Sequence, residues 1–428
     1  MAEIILSIGL LVFMAHFFVA MFKSTGIPDV LLLTLIGLVL GPVLHIVQPP
    51  DFGQVGAALS TMALVIILFE SGLTLDPHVL ARTWRPIMSI TILTFVFTVT
   101  VTALIGHYLL GIPPLMATIM GTALGGVSAA VAIPMVKNMA MREPGGTILI
   151  MESAFGDVLS IVLLLALVDA ASRGGGVQVG QVIGGIFASL VCALLLGVLG
   201  GVLWLYLLNI VRRLPNSVFT TLAFLMVIYG VTDVLGFSGA IAALAFGFTL
   251  DNHHYLGLDR IRFLHGRPIG KVGESDVEFY MELLFLLKTF FFIYLGASIR
   301  LGDLRITLVA LTIVGAVYLG RPFLARFSLR GVNVGGWEAG IVSFMVPKGL
   351  VSAVLASIPL ERGFEGAELL RNVCYMVILF SIVLTAVLVA VNRTPPARAL
   401  FNRLYGEGNP NARVATGGAH SATPVAAP

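Results

Sequence analysis

Two carboxylates, Glu152 and Asp157, lie in the apolar run 146–168, GTILIMESAFGDVLSIVLLLALV. The run is long enough to cross a bilayer, which takes about 20 residues. A charge at mid-bilayer costs at least about 2.5–3.5 kcal/mol, so each acid needs a partner, water or a proton. At about 100° per residue the two acids point roughly 140° apart on a helix, whereas Ser153 and Asp157 share a face. The spacing predicts two roles on one helix.

Charge balance suggests how the roles divide. The cations inside predicted membrane spans are Lys288, Arg321 and Lys348. One of them can balance Glu152, which makes Glu152 structural. Asp157 and Ser153 then offer oxygen ligands, which hard cations prefer. Because burial favours the protonated form of a carboxylate, Asp157 is predicted to bind either a proton or a monovalent cation, which is the minimum that an antiporter needs.

The composition is that of a membrane protein along its whole length. Of 428 residues, 58% are hydrophobic and only 11% charged, and the mean hydropathy is +1.02, whereas soluble chains are about a quarter charged. A net charge of +3 gives no reason to expect a nucleic-acid partner. The two cysteines form no metal-binding pattern, and we expect no cofactor. The first segment lacks a basic region and a cleavage site, so it is predicted to be a retained helix.

Apolar segments separated by Pro, Gly and charged residues predict an all-α polytopic membrane protein with about thirteen crossings. The predicted spans are 4–22, 28–47, 53–75, 86–110, 114–136, 146–169, 180–211, 217–235, 237–250, 278–299, 304–325, 337–359 and 366–392. Residues 1–393 would form the transmembrane domain. The end of the chain, 394–428, is rich in Ala, Gly, Pro and Asn and is predicted to be a short disordered cytoplasmic tail.

The distribution of Lys and Arg predicts the orientation. With the N-terminus outside, 17 of the 25 basic residues lie in cytoplasmic segments and 5 lie outside. The positive-inside rule therefore favours an outside N-terminus and a cytoplasmic C-terminus. The inner (plasma) membrane of a bacterium is the simplest host for a chain without a targeting segment.

Three pairs of short segments predict an internal repeat. They are GIPDVLLLTLIGLVL (26–40) with GFSGAIAALAFGFTL (236–250), GLTLD (72–76) with GASIRLGD (296–303), and VSAAVAIP (127–134) with VSAVLASIP (351–359). The first pair is offset by 210 residues and the other two by 224. The repeats would be about 4–169 and about 217–392, with helix 180–211 linking them. Paired helices are an odd number of crossings apart, so the repeats are inverted, as in secondary transporters.

Helix breakers interrupt both members of the third pair. They are Gly125, Gly126 and Pro134 in the first repeat, and Pro347 and Gly349 in the second. Interrupted helices at membrane depth occur where the freed backbone groups line a cavity or are buried in protein. In transporters such helices form the binding site, so two crossed broken helices are predicted there.

The chain resembles the monovalent cation/proton antiporter superfamily, the sodium/proton exchangers, across about residues 4–392. FESGLTLD (69–76) resembles the family's third-helix FEGGL-type motif, and ESAFGDV (152–158) resembles its sixth-helix ESxxND motif. YLGRPFLA (318–325) and PKGLVSAVLA (347–356) resemble two late helices that each carry a buried basic residue.

The resemblance implies a coordination set. Asp157 would be the acid that alternates between a proton and Na⁺ or K⁺. Ser153, Glu70 and the backbone carbonyls near Val127 and Ser128 would complete the coordination of the cation.

The resemblance also implies the supporting parts. Glu152 would form a buried ion pair with Arg321, and Lys348 would be the second basic residue, on the broken twelfth helix. The family works as a homodimer in the lipid bilayer, in which a core of crossed broken helices moves against a dimerisation panel.

Two departures from the family pattern bear on stoichiometry. Gly156 stands where the motif has Asn or Asp, and GVSAAVA (126–132) stands where many relatives have Thr-Asp-Pro. One titrating carboxylate remains at the crossing, which predicts electroneutral one-for-one exchange. The choice among Na⁺, K⁺ and Li⁺ is left open.

Two other functions fit parts of the sequence. AFGD (154–157) resembles the GxGD of intramembrane aspartyl proteases, but the chain has neither the YD nor the PAL sequence that those enzymes need, so we expect no enzyme. A sodium-coupled symporter of an organic solute could have the same inverted-repeat architecture, because fold does not fix function. Dependence of transport on an organic solute would separate the two.

Overall fold

The computed structural model describes residues 9–10, 13–14, 16–17, 29–46, 49–74, 77–139, 141, 144–172, 179–211, 218–255, 273–332, 334–392 and 394–405. Within these ranges all regular structure is helical. The helices are α1 (Asp29–Leu38, continued by a π-helical turn, Val39–Val43), α2 (Pro49–Thr74), α3 (Pro77–Leu110), α4 (Pro114–Ala123), α5 (Ala129–Asn138), α6 (Gly145–Ser172), α7 (Val179–Val211), α8 (Val218–Val234), α9 (Gly239–Asp251), α10 (Glu274–Ser298), α11 (Leu304–Ser328), α12 (Gly336–Phe344), α13 (Leu350–Glu361), α14 (Ala367–Asn392) and α15 (Pro395–Tyr405).

The predicted membrane spans match this helix order. Among the described residues, the helices long and apolar enough to cross a membrane are Thr83–Leu110, Gly145–Ser172, Phe187–Leu208, Asp276–Ser298, Leu304–Ser328 and Ala367–Asn392. Shorter apolar helices, including α4, α9 and α13, account for other predicted spans. The first span is represented by helical residues at 9–10, 13–14 and 16–17. The all-α architecture with about thirteen crossings is confirmed.

Local sequence signals set the helix boundaries. α3 ends at Leu110, after which Gly111 adopts a φ of +71° that favours glycine. Pro113 and Pro114 then begin α4, since proline suits the first helical turn. At the start of α11 the Asp303 carboxylate accepts the backbone N–H groups of Arg305 and Ile306 (2.9 and 3.1 Å). The short connection between α3 and α4 makes these two helices packed neighbours.

The helices form two bodies. We call α3, α4, α5, α6, α11, α12, α13 and α14 the core body, and α1, α2, α7, α8, α9 and α10 the panel body, because each set packs mainly within itself. The bodies meet at several places among the described residues, most extensively where α6 contacts α7 and where α13 contacts α2. Both broken helices belong to the core body, so the interface between the bodies runs beside them.

Four glycines form two symmetrical helix crossings in the panel body. Gly37 of α1 faces Gly296 of α10, and Gly72 of α2 faces Gly247 of α9. A Cβ added to any of the four would overlap a backbone carbonyl oxygen of the facing helix. In each case that carbonyl belongs to the residue three positions before the facing glycine. Gly37 and Gly247 are 210 residues apart, and Gly72 and Gly296 are 224 apart, the offsets of the predicted repeat. The two crossings are therefore equivalent contacts, each made by one helix from either repeat.

The C-terminal tail differs from the prediction of disorder from residue 394. Pro395–Tyr405 forms α15, and 406–428 lies outside the described residues. The Phe401 ring packs edge-on against Phe344, with ring centroids 5.5 Å apart, and lies against Gly340. Both of these partners are on α12. The apolar residues Leu400, Phe401 and Leu404 recur at helical spacing, a pattern that the overall composition of the tail does not reveal.

Candidate functional site

Both predicted broken helices are interrupted in the structure. α4 ends at Ala123 and α5 begins at Ala129, while α12 ends at Phe344 and α13 begins at Leu350. The breaks, 124–128 and 345–349, are thus 221 residues apart. The two VSA sequences are 224 residues apart, three more than the breaks. They therefore lie about one helical turn away from structurally equivalent positions.

Hydrogen bonds across the crossing join the two breaks. The Ser128 N–H donates to the Pro347 carbonyl (2.7 Å), and the Lys348 ammonium donates to the Gly126 carbonyl (2.9 Å). Gly126 and Pro347 are 221 residues apart and so occupy equivalent positions in the two breaks. The carbonyl of each accepts a hydrogen bond from a donor in the other break. Gly349 is required because a Cβ there would overlap the Ser128 hydroxyl. These bonds satisfy backbone groups that a membrane cannot.

Helix α6 carries Asp157 to this crossing. Asp157 is 2% exposed, and a Cβ placed on Gly126 would lie 2.9 Å from its Oδ1. Gly156 packs on the same break, where its Cβ would lie 3.3 Å from the Gly126 Cα. Within the described part of the chain, Asp157 Oδ2 is buried without a hydrogen-bond partner. A buried polar atom of this kind is costly, so Oδ2 is suited to a proton or a cation.

Ser153 lies one turn before Asp157 on the same face of α6 and is fully buried. Its hydroxyl donates to the Ile150 carbonyl (2.7 Å). With its proton directed there, the lone pairs of Oγ remain as acceptors. Ser153 and Asp157 therefore both present oxygen acceptors on one side of the helix.

Glu152 points elsewhere and lies against Arg321 of α11. Both carboxylate oxygens are 2.5 Å from guanidinium nitrogens, and the side chains are 1% and 0% exposed. Arg321 also donates to the Thr94 hydroxyl and to the Val342 carbonyl, the latter at 3.2 Å from Nη2. This bidentate geometry is the strong form of the Arg–carboxylate pair, and it leaves Glu152 engaged rather than open to a transported ion.

Lys348 extends from the second break into the same cluster. It is 2% exposed and interacts electrostatically with Arg321, Glu152 and Asp157. Its backbone N–H donates to the Ser381 hydroxyl of α14 (2.9 Å). The remaining cation of the predicted spans, Lys288, lies on α10 in the panel body.

The other predicted ligands are Glu70 and the carbonyls of Val127 and Ser128, and their contact with an ion at Asp157 would be less direct. Glu70 is half-buried near the end of α2, in the panel body, and its reach to Asp157 stays a prediction. Val127 is buried in the first break. The Ser128 carbonyl already accepts the Val131 and Ala132 N–H groups (3.3 and 2.9 Å) where α5 begins, so binding a cation there would compete with the helix.

The prediction for Pro134 as part of the break needs correction. α5 continues through Pro134 to Asn138, so the first break lies wholly before it. Gly125 and Gly126 are in the break itself, and a Cβ on Gly125 would overlap the Phe95 ring of α3. Small size at these glycines, rather than a proline kink, allows α3 and α6 to approach the interrupted segment.

Sequence reasoning missed Thr94 and Ser381. A signal existed for Thr94, because Thr91, Thr94, Thr98 and Thr102 recur at helical spacing on α3 and all are buried. A polar stripe on a membrane helix indicates a face turned into the bundle. Ser381 is a single hydroxyl in an apolar helix and carries no comparable signal.

Inverted repeats, two interrupted helices that cross, and a buried carboxylate at the crossing together define an ion-coupled secondary transporter. A model of the family described as "Sodium/hydrogen exchanger, transmembrane" matches residues 9–390. The chain belongs to the sodium/hydrogen exchanger family.

Named relatives agree with this family. Na(+)/H(+) antiporter 1 of Methanocaldococcus jannaschii is 25% identical over 383 residues, covering 82% of this chain and 80% of the relative. Na(+)/H(+) antiporter NhaH of Halobacillus aidingensis is 24% identical, with coverage of 89% and 95%. K(+)/H(+) antiporter NhaP2 of Shewanella oneidensis is 24% identical over 76% of this chain, which spans only 55% of that relative.

A solved structure shows the same fold. The sodium proton antiporter MjNhaP1 from Methanocaldococcus jannaschii at pH 8 superposes with a TM-score of 0.73 at 22% identity, covering 94% of this chain and 99% of that one. The family and its relatives support antiport of a monovalent cation and protons, and they do not support the organic-solute symporter. The family is one of transporters, not of intramembrane proteases.

Proposed function

We propose that this chain exchanges Na⁺ or K⁺ for protons, one for one, at Asp157. The observation that carries the proposal is the Asp157 carboxylate, which is 2% exposed, lies at the crossing of the two breaks, and has one oxygen without a hydrogen-bond partner among the described residues. A proton on that oxygen or a cation beside it would each supply the missing partner, but both cannot occupy it together.

The charges of the cluster support electroneutral exchange. Glu152 and Asp157 are balanced by Arg321 and Lys348, so the empty cluster is neutral when all four groups are ionised. Binding one proton or one monovalent cation to Asp157 adds the same charge. The two loaded forms therefore carry equal charge across the membrane, and a complete cycle moves none.

The coordination shell that we propose combines side chains and backbone. Asp157 and the Ser153 hydroxyl supply two oxygens from one face of α6. Glu70 of α2 and the carbonyls of Val127 and Ser128 would supply the others when the core body meets α2. Oxygen ligands of this kind suit a hard monovalent cation, while the Glu152–Arg321 pair holds α6 against α11.

A cavity supplies the route from Asp157 to one side of the membrane. It has a volume of about 380 Å³ and lies between the bodies, lined by residues of α2, α8, α9 and α10 and by residues of α6, α13 and α14. Ile161, one turn after Asp157, is part of its lining. Arg362 and Arg371 also line it, and with the N-terminus outside they mark the outer side.

Alternating access would follow from movement of the core body along the panel body, which carries Asp157 from this cavity towards the cytoplasm. We further propose that the chain works as a homodimer in a bacterial inner membrane, with the C-terminus cytoplasmic. The transported Na⁺ or K⁺ and H⁺ are substrates, and the mechanism needs no cofactor.

Proteoliposomes test the proposal. Vesicles that are acidic inside and contain a pH dye receive Na⁺, K⁺ or an impermeant cation outside. The wild-type protein should collapse the pH gradient with Na⁺ or K⁺, and Asp157→Asn should reduce this rate at least about a hundredfold because Asn cannot exchange a proton. Asp169→Asn, which changes an exposed acid on the same helix, is the matched control and should keep the wild-type rate.

Two results would contradict the proposal. Wild-type activity in Asp157→Asn would remove Asp157 from the site. A rate that changes when a K⁺–valinomycin potential is imposed on Na⁺ exchange would show that charge moves, which contradicts the one-for-one stoichiometry.

A further inference from the structure

The second break exposes backbone groups at membrane depth, where every one must find a partner within the protein. The Met345 and Val346 N–H groups bond to the carbonyls of Ile341 and Phe344 (both 2.9 Å). The Lys348 N–H instead reaches out of its own segment, to the Ser381 hydroxyl of α14 (2.9 Å). Lys348 is therefore anchored to a different helix through its backbone.

Ser381 is itself held in one orientation. Its hydroxyl donates to the Ile378 carbonyl (2.8 Å), so Oγ can only accept from Lys348. Its own carbonyl accepts the Tyr318 hydroxyl of α11 (2.7 Å), and that hydroxyl is 2.6 Å from the Thr385 hydroxyl. All of these groups are buried. These hydrogen bonds hold the Ser381 side chain and backbone in place, with Oγ oriented as the acceptor of the Lys348 N–H.

The network continues to the carboxylate. With its backbone held by Ser381, Lys348 places its ammonium on the Gly126 carbonyl (2.9 Å), and Gly126 lies directly beside Asp157 Oδ1. The Lys348 charge is thus near Asp157 while its hydrogen bond is made elsewhere. A Lys348 released from this position could swing its ammonium onto Asp157 and occupy the oxygen that the cation and the proton need.

We propose that Ser381 is a positioning residue of the exchange site, which keeps the Lys348 ammonium on Gly126 and so leaves Asp157 open to its two substrates. This inference rests on the function proposed above. Tyr318 of α11 donates a hydrogen bond to the Ser381 carbonyl, so it influences Lys348 only through Ser381.

The test compares kinetics and backbone protection in four variants. Ser381→Ala should raise the cation concentration for half-maximal exchange about fivefold, the effect expected from one lost buried hydrogen bond, and should move the pH profile to lower pH, because both substrates would compete with Lys348. Ser381→Thr restores the hydroxyl and should restore both values. Tyr318→Phe should cause a smaller shift in the same direction. Thr91→Val, which removes an equally buried hydroxyl bonded to the Ile87 carbonyl of its own helix (2.7 Å), should change neither.

Hydrogen exchange measured by mass spectrometry separates this inference from the proposed function. Ser381→Ala should speed amide exchange in 345–349 and leave α3 unchanged, whether or not Asp157 carries transport. Failure of the proposed function would instead appear as full activity in Asp157→Asn. Unchanged protection of 345–349, or a fall in maximal rate with unaltered half-saturation and pH profile, overturns the positioning role of Ser381.

Discussion

At the scale of single residues, the part of the chain that the structure describes includes a buried and an exposed Arg–Glu pair. Glu152 and Arg321 are 1% and 0% exposed, whereas Arg300 and Glu368 form a 2.7 Å contact at 64% and 52% exposure. A buried pair costs much to desolvate, and removal of one partner leaves the other charge uncompensated. An exposed pair gains little because water screens it.

Glu152→Gln should therefore lower the free energy of unfolding by about 3–5 kcal/mol, since the Arg321 guanidinium would stay buried with no counter-charge. The matched change at the surface, Glu368→Gln, should cost at most about 1 kcal/mol. Thermal unfolding of the purified protein in detergent would measure both. Equal melting temperatures for the two variants would show that Arg321 finds another counter-charge.

The sequence draws attention to the charged residues of the cluster rather than to hydroxyl residues such as Thr94 and Ser381, and the reason is energetic. An ionised side chain in an apolar span carries a large penalty, so Glu152, Asp157, Arg321 and Lys348 are conspicuous without any structure. Ser381 carries no such penalty, because a serine can bond to its own helix. Its role appears only when the fold brings α14 to the second break.

Gly156 shows a second limit of sequence reasoning. In the sequence, Gly156 is only a departure from the family motif, where Asn or Asp is usual. The structure adds that α6 packs against the first break there, since a Cβ on Gly156 would lie 3.3 Å from the Gly126 Cα and 3.4 Å from the Val127 nitrogen. In place of a side chain, Gly156 allows the backbone of α6 to pack closely against the backbone of the first break. A single sequence does not predict such a contact.

At the scale of helices, the glycine crossings of the panel body give a direct test of close packing. Gly296→Ala should destabilise the protein by about 1–3 kcal/mol or more, because the new Cβ would meet the Thr34 carbonyl, which belongs to a rigid helix. Gly230→Ala on α8 is the matched control, because its Cβ has no heavy atom within 4 Å. There the change should be neutral or stabilising, by up to about 1 kcal/mol.

Melting temperatures of the two glycine variants, with the protein yield from membranes, would measure the difference. A Gly296→Ala protein as stable as Gly230→Ala would mean that α1 and α10 can move apart without loss. The same comparison at Gly72, the repeat-related position, should give the same sign because a Cβ there would meet the Leu244 carbonyl in the same way.

The repeat also shows what the sequence predicts at this scale. The offsets of 210 and 224 are also the spacings of the glycines at the two crossings. A glycine that faces the backbone of another helix cannot be replaced or shifted along the chain, so the offset is kept. The VSA match was displaced by three residues from the breaks, because small residues in a broken helix are interchangeable. α15 was missed because the prediction for the tail used its overall composition and not the helical spacing of Leu400, Phe401 and Leu404.

At the scale of the whole molecule, the proposed route of the ion depends on the division into two bodies. Sequence order does not predict this division, since α3 to α6 and α11 to α14 come from different repeats and yet pack together. Asp157 lies in the core body, and the cavity lies between the bodies. Transport by movement of one body along the other requires that contacts between bodies change while contacts within a body persist.

A pair of cross-links distinguishes these two kinds of contact. Arg300 follows α10 of the panel body, and Glu368 lies on α14 of the core body, with their side chains 2.7 Å apart. As the matched control within the core body, Arg305 of α11 donates from Nη2 to the Leu109 carbonyl of α3 (2.6 Å). Cysteines would be placed at 300 and 368 or at 109 and 305, after replacement of the natural Cys192 and Cys374 by alanine.

A short, reducible bis-thiol reagent applied to proteoliposomes should stop cation-driven proton exchange in the 300–368 protein, and reductant should restore it. The 109–305 protein should keep its rate when cross-linked to the same extent, because both positions move together. Sustained exchange in a fully linked 300–368 protein would mean that Asp157 changes its access without relative movement of the bodies at this point. In that case the alternation would have to arise within the core body itself, at the two breaks beside Asp157.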